Sequence, residues 1–279
     1  MEKFNEKYNE DLKKFGNNYH ALNKYVMTHT YHLCTVNPAF QAMINVMKEK
    51  QFILFEHNRI DALQDGPTTN IVISNKRSFE AAKAYKGYKT AVLNFANNHH
   101  IGGSPYSAGA QEESLCRTST LLPCLEKEKD TFYEYHKKLY EEGKIDYMGN
   151  DDLIYTPAVV VFKTDESAPQ MMKIDDWYDV DVITCAAPQL YETPSDIEKY
   201  ESTILKRLRR IFQVAKHQGV EVLVLGAWGC GAFNNPPELI AKAFKTLCNE
   251  YKFDTIEFAI YGNRGNDTNY QIFKQIFDE

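Results

Sequence analysis

The run Val222-Leu-Val-Leu225 sets apolar side chains at four consecutive positions, so a strand built from it has no face suited to water and needs helices on both sides. Five more short runs rich in β-branched residues accompany it: Ile71-Val-Ile73, Ala91-Val-Leu-Asn-Phe95, Ala158-Val-Val-Val-Phe162, Val180-Asp-Val-Ile-Thr184 and Thr255-Ile-Glu-Phe-Ala-Ile260. Helical patterns over residues 77–85, 130–141, 237–249 and 269–277 separate most of them. The longest helix is predicted to open at the capping box Ser195-Asp-Ile-Glu198 and to close at Gly219. This alternation predicts an α/β sandwich around a mixed or largely parallel sheet, with reactive loops at the carboxyl ends of the strands. Residues 1–50 read differently. Their apolar positions fall three and four apart, as in Phe40, Met43, Ile44 and Met47 after the helix start Asn37-Pro38. We expect an N-terminal helical extension over residues 1–70, packed on a core of residues 71–279.

Charge and cysteine usage exclude several classes. Asp and Glu number 38 against 32 Lys and Arg, a formal net charge of −6, the reverse of the balance with which proteins coat nucleic acid. No DNA partner is expected, and a polyanionic ligand would have to be held locally. The first residues alternate charges instead of forming an apolar signal core, and no stretch approaches the roughly 20 apolar residues of a membrane span, so a cytoplasmic protein without a membrane partner is expected. The six cysteines lack the paired spacing of a zinc site, which predicts reduced thiols and no metal. The sequence fixes no oligomeric state.

Two segments leave a strong strand and turn glycine-rich at once. One runs from Asn94 and Asn97 through Gly102, Gly103 and Ser104 to Gln111-Glu-Glu113. The other, Gly226-Ala-Trp-Gly-Cys-Gly-Ala-Phe233, follows Leu225 directly. Either alone is consistent with a tight turn. Together they offer backbone N–H groups for an anion such as a diphosphate, beside a pair of carboxylates. Neither fits the dinucleotide fingerprint or the P-loop, which argues against a Rossmann dehydrogenase and a P-loop kinase. Cys230 lacks the flanking glycines of a nucleophile elbow and reads as a small residue in a phosphate loop. His99 and His100 read as exposed loop histidines, and Lys206-Arg-Leu-Arg-Arg210 as a solvated helix face.

These segments, with Leu93-Asn-Phe-Ala-Asn97, Gln111-Glu-Glu-Ser-Leu-Cys-Arg117, Thr156-Pro-Ala-Val-Val-Val-Phe162, Val182-Ile-Thr-Cys-Ala-Ala187 and Gly226 to Asn234-Asn-Pro-Pro237, resemble in order the microbial poly(ADP-ribose) glycohydrolase family. The resemblance runs from about Arg77 to the C-terminus. It implies a macrodomain-like three-layer α/β/α sandwich with a central mixed sheet, preceded by a helical extension. The family signature is three glycines, a short spacer and Gln-Glu-Glu. Here the loop reads Ile101-Gly-Gly103, seven residues, then Gln111-Glu-Glu113, so isoleucine stands at the first glycine. Either a β-branched residue is strained there, or Gly102-Gly-Ser104 serves instead.

Carried over by position, Glu113 corresponds to the catalytic acid and Glu112 to the neighbour that orients the ribose hydroxyls. Asn97 corresponds to an asparagine at the distal ribose, and Phe233 to an aromatic that stacks on adenine. Gly226, Trp228, Gly229, Cys230, Gly231 and Ala232 correspond to the diphosphate loop, with Gln111 beside the reacting pair. Cleaving a ribose glycosidic bond passes through an oxocarbenium-like state, so one carboxyl must protonate the leaving oxygen and then activate water, which needs no cofactor. We expect like charge from Glu112 and a partly apolar loop to keep Glu113 protonated. The expected activity is release of ADP-ribose from an ADP-ribosylated protein or polymer. A mono-ADP-ribosyl hydrolase, including one acting on arginine links, and a non-catalytic ADP-ribose reader are the alternatives.

Overall fold

The computed structural model describes residues 2–61, 66, 68–262 and 267–279; Met1 and residues 62–65 and 67 of the expected extension lie outside them. Three helices come first: α1 (Glu2–Leu12), α2 (Tyr19–Val36) and α3 (Pro38–Lys50). Asn37 joins the last two. Its N–H closes α2 on Leu33 O, while its side chain caps α3 by accepting from Ala39 N, with Pro38 in the first turn. The chain continues through β1 (Phe52–Leu54), β2 (Asn70–Ser74), α4 (Ser78–Ala82), β3 (Thr90–Phe95), α5 (Gln111–Thr118), α6 (Leu121–Leu125) and α7 (Glu134–Glu141). Then follow β4 (Leu153–Val161), β5 (Tyr178–Cys185), α8 (Ile197–His217), β6 (Val222–Leu225), α9 (Pro237–Glu250), β7 (Thr255–Ala259) and α10 (Thr268–Asp278).

The strands form one sheet in the order β1-β4-β5-β3-β6-β7-β2. β5, β3, β6, β7 and β2 run parallel, while β4 is antiparallel to both β1 and β5. The expected mixed sheet with helices on both sides is therefore present. Alternate strand residues feed two separate cores. Leu93, Leu223, Leu225, Ile256 and Phe258 pack with α8, α9 and α10, whereas Val92, Val182, Val222 and Val224 pack with α4, α5 and α6. That is the two-sided burial the Val222 to Leu225 run demands.

Three details differ from the sequence reading. Phe52–Leu54, inside the stretch read as a helical extension, is an edge strand pairing with Leu153 to Tyr155. Three residues are too short for a period to declare itself. Helix α8 is capped by Asp196, whose side chain accepts from Lys199 N at 2.9 Å, one residue later than the predicted Ser195. The 130–141 helix begins as a π-turn over Lys129–Tyr133. Gly219 ends α8 at φ +70°, in the expected left-handed position.

Candidate active site

Strands β3, β6 and β7 end at a cleft of about 750 Å³, walled by both glycine segments. This is the carboxyl edge of the parallel strands, where helices leave room for a ligand.

The first wall follows β3. Gln111, Glu112 and Glu113 are the first turn of α5, so the pair expected to react is also a charged helix start. The Gln111 amide extends the ladder of β3: it accepts from Phe95 N at 2.9 Å and donates to Leu93 O at 2.8 Å and Ser78 Oγ at 3.0 Å. Gln111 borders the cleft, and its side chain holds α5 on the sheet. Glu112 is 3% exposed; Oε2 accepts from Asn97 N at 2.8 Å and Oε1 from Asn94 Nδ2 at 3.2 Å. Burial raises its pKa well above the usual carboxylate range, and the nearby Glu113 charge adds to this, against the pull of those two hydrogen bonds. Sequence reasoning expected no such shift at Glu112.

Glu113 is 7% exposed and its two oxygens differ. Oε1 accepts from Ser104 N at 3.0 Å, whereas Oε2 is buried and has no hydrogen-bond partner among the described residues. The loop between is shaped for this contact. Gly102 and Gly103 both lie at φ +67°. A Cβ on Gly103 would fall on Glu113 Oε1, and one on Gly102 would come within 2.8 Å of Leu122 Cδ1 and 2.9 Å of Cys116 Sγ. Ile101 is not at positive φ and packs, partly buried, against the cluster of Leu115 and Leu122. The left-handed positions are thus 102 and 103, with Ser104 supplying the N–H, and the isoleucine is unstrained. Gly102 itself is buried beneath the loop. Asn97 borders the cleft, and its Oδ1 accepts from His99 N and His100 N at 2.8 and 3.0 Å, turning the chain. His100 is exposed on the cleft rim as expected, but His99 is partly buried against Tyr140, and burial lowers its pKa.

The second wall follows β6. Gly229, Gly231, Ala232 and Phe233 border the cleft, and their four N–H groups donate to no backbone acceptor among the described residues. Gly229 lies at φ +75°, and a Cβ there would meet Ala187 Cβ and Asn235 Nδ2 at 2.6 Å. Gly226 is needed for close packing instead, since a Cβ would stand 2.7 Å from Ala259 O. Of two further expected contacts, Trp228 borders the cleft with its indole turned inward, and Cys230 lies off it. The Trp228 indole is fully buried and donates to Cys185 O at 2.9 Å, so it roots the loop. Cys230 does not border the cleft, and burial pushes its thiol well up, which leaves no thiolate for nucleophilic work. Phe233 remains partly exposed at the cleft.

The residue that shapes this loop was missed by sequence reasoning. Asn235, 2% exposed, donates through Nδ2 to Pro188 O (2.8 Å), Gly229 O (3.0 Å) and Phe233 O (3.2 Å), and accepts from Tyr200 OH at 2.7 Å. Its neighbour Asn234 lies at φ +57° and donates to Leu190 O. The paired asparagines after a glycine run were the available signal. Farther along the cleft the Arg77 guanidinium lies 4.3 Å over the Tyr261 ring.

Residues 21–164, more than half of the chain, match the family described as the catalytic domain of microbial-type PARG. The chain belongs to that family. Poly(ADP-ribose) glycohydrolase from Thermomonospora curvata has a similar structure, with 25% identity, a TM-score of 0.80 and coverage of 91% of this chain and 99% of that one. The Deinococcus radiodurans glycohydrolase in complex with ADP-ribose is also similar, at 27% identity and a TM-score of 0.73, covering 84% of this chain and 97% of that one. No curated protein sequence matches.

The basic run of α8 is engaged largely within the chain. Arg207 is buried, donating to Asp151 Oδ1, Ala186 O and Met148 O; Arg210 holds Asp151 O and Phe55 O; Lys206 pairs with Asp151 and Arg209 with Glu250. The tract read as a solvated helix face is thus largely an internal brace, with no cation array for a phosphate backbone. Among the described residues no helix is long and apolar enough to cross a membrane, and no group of three or more His, Cys, Asp and Glu side chains is placed to hold a metal.

Proposed function

We propose that this glycohydrolase releases ADP-ribose from poly(ADP-ribose) or an ADP-ribosylated protein, with Glu113 as acid and then base. One observation carries the assignment: Glu113 has one oxygen fixed by Ser104 N and the other buried at the cleft without a partner, free to exchange a proton with a ligand. Neutral Glu113 gives its proton to the leaving oxygen as the bond from the ribose anomeric carbon breaks. The carboxylate left behind takes a proton from a water whose oxygen attacks that carbon. Glu112, fixed to Asn97, orients the ribose hydroxyls. The N–H groups of Gly229, Gly231, Ala232 and Phe233 receive the diphosphate, and Phe233 stacks on the adenine. Ser104 and the two glycines before it hold Glu113 in line with the bond.

Retention of both carboxyls in a shaped cleft favours an enzyme over a reader. The unstrained Ile101 gives no reason to prefer a mono-ADP-ribosyl substrate. We further propose a cytoplasmic location, in keeping with six free thiols, and a helical extension of residues 1–70 on a catalytic core of 71–279. Glu113→Gln tests the central assignment. Turnover of poly(ADP-ribose) should fall by about 10²–10⁴-fold, the usual loss of a general acid, while ADP-ribose still binds. Undiminished hydrolysis would end the assignment.

A further inference from the structure

We propose that Asn23 of α2 and Arg117 of α5 are positioning residues for the hydrolysis, clamping the loop that aims Glu113. Nothing in the Gln-Glu-Glu signature points to Asn23, which lies 84 residues before the loop it grips. Asn23 Nδ2 donates to Ser107 O and to Ala108 O, both at 3.1 Å. From the other side Arg117 Nη1 donates to Pro105 O at 3.0 Å and to the same Ala108 O at 2.7 Å. Both side chains are buried.

The grip reaches Glu113 in two short steps. Ser107 N and Ala108 N both donate to Ser104 O, at 3.0 and 2.9 Å, so residues 104–108 form one closed turn. Fixing its carbonyls at 105, 107 and 108 fixes Ser104, and Ser104 N holds Glu113 Oε1. Arg117 is four residues after Glu113 on the same helix, so one helical face carries both the reacting carboxyl and the jaw that steadies its loop. Helix α2 is tied to α5 again at its middle. Thr30 Oγ1 donates to Arg117 O at 2.5 Å and accepts from the buried Lys163 Nζ at 2.7 Å. The N-terminal helices are therefore a structural member of the active site, not only a cover for the sheet.

This inference rests on Glu113 as the acid. The test uses the full chain with Asn23→Ala and the same-sized Asn23→Asp, which replaces the donor with an acceptor facing two carbonyls. A control is Thr35→Ala on exposed α2 surface. Readouts are kcat and KM for ADP-ribose release, direct binding of ADP-ribose, and thermal melting. Expected is a kcat loss of about 10- to 100-fold per folded molecule in both Asn23 variants, the scale of a small misplacement of a reacting group. Binding of ADP-ribose should change less than about threefold, since the second loop is untouched, and Thr35→Ala should match the parent. A packing role alone would lower the melting temperature of Asn23→Ala, leave kcat per folded molecule intact and leave Asn23→Asp near the parent; that result overturns the clamp. Should Asn23→Ala not fold, Arg117→Met, which keeps an unbranched side chain and loses both hydrogen bonds made by Nη1, must lower kcat in the same way, and an unchanged kcat overturns the proposal. If the parent itself releases no ADP-ribose, the reading of Glu113 fails; if it does so, Glu113→Gln is inactive and the Asn23 variants are unaffected, only the clamp fails.

Discussion

The two glycine loops leave neighbouring strands, line one cleft and look alike in sequence, yet they use their backbone donors in opposite ways. The loop after β3 commits its N–H groups to the chain's own carboxylates: Ser104 to Glu113 and Asn97 to Glu112. The loop after β6 leaves those of Gly229, Gly231, Ala232 and Phe233 without a backbone acceptor among the described residues. One answers carboxyl oxygens that the fold carries; the other is unanswered by the backbone around it. Glycine content does not distinguish them, since each contains residues at φ near +70°. The location of the acceptor does. The first loop should therefore govern turnover and the second affinity.

The largest effect that would separate them is expected from Gly103→Ala. The new Cβ would displace the Glu113 carboxyl, and the left-handed backbone adds strain on the order of 1–3 kcal/mol. kcat should fall by about 10²-fold with ADP-ribose affinity little changed; an equal loss in both would break the division of labour. Next comes Asn235→Ala, which removes the donor to three carbonyls behind the second loop. Gly229 O and Phe233 O keep backbone donors in Asn235 N and Leu190 N, so Pro188 O alone loses its donor. A buried carbonyl left unpaired costs about 1–3 kcal/mol, which sets the ceiling on the change: ADP-ribose affinity, read by calorimetry, should weaken by at most roughly 5- to 150-fold while kcat at saturation holds.

The smallest effect tests whether a charge on Glu112 would strain the fold. Because the Glu112 pKa is raised on folding, its protonated form contributes stability that is complete below the unfolded carboxyl value and lost as pH rises through the folded value. Glu112→Gln can still accept from Asn97 N while donating to Asn94, whose Oδ1 has no partner among the described residues. It should raise the melting temperature by a few degrees at pH 8 and by less at pH 4. Melting curves across that range with the larger gain at acid pH would contradict the assignment of burial as the dominant influence on Glu112.

The sheet, most helices and both loops were legible because they rest on local signals: apolar runs, a spacing of three and four, and glycine after a strand. The exceptions are equally physical. Strand β1 has three residues and takes its identity from β4, a partner about 100 residues away. Asp196 beats Ser195 as the cap although both residue types suit the role. Trp228 and Gln111 sit inside the right motifs, but hydrogen bonds to Cys185 O and Leu93 O turn them inward. Asn23 and Asn235 act through contacts 84 and 47 residues away, which no spacing rule reports. Motif position found the cleft walls; only the pairing of donors with acceptors assigned their tasks.

Strands β3 and β6 are direct neighbours in the sheet, and one ends at Phe95 while the other ends at Leu225. The two loops are thus mounted on strands about 4.8 Å apart, with β3 running two residues beyond the level of Leu225. Backbone hydrogen bonds set that interval, and no side chain in either loop can alter it. On the proposed assignment, the sheet is a fixed gauge between the loop offered to the diphosphate and the loop that aims Glu113. Substitutions in the loops can retune strength or rate, but a ligand whose phosphate and scissile carbon are differently spaced would require another strand order.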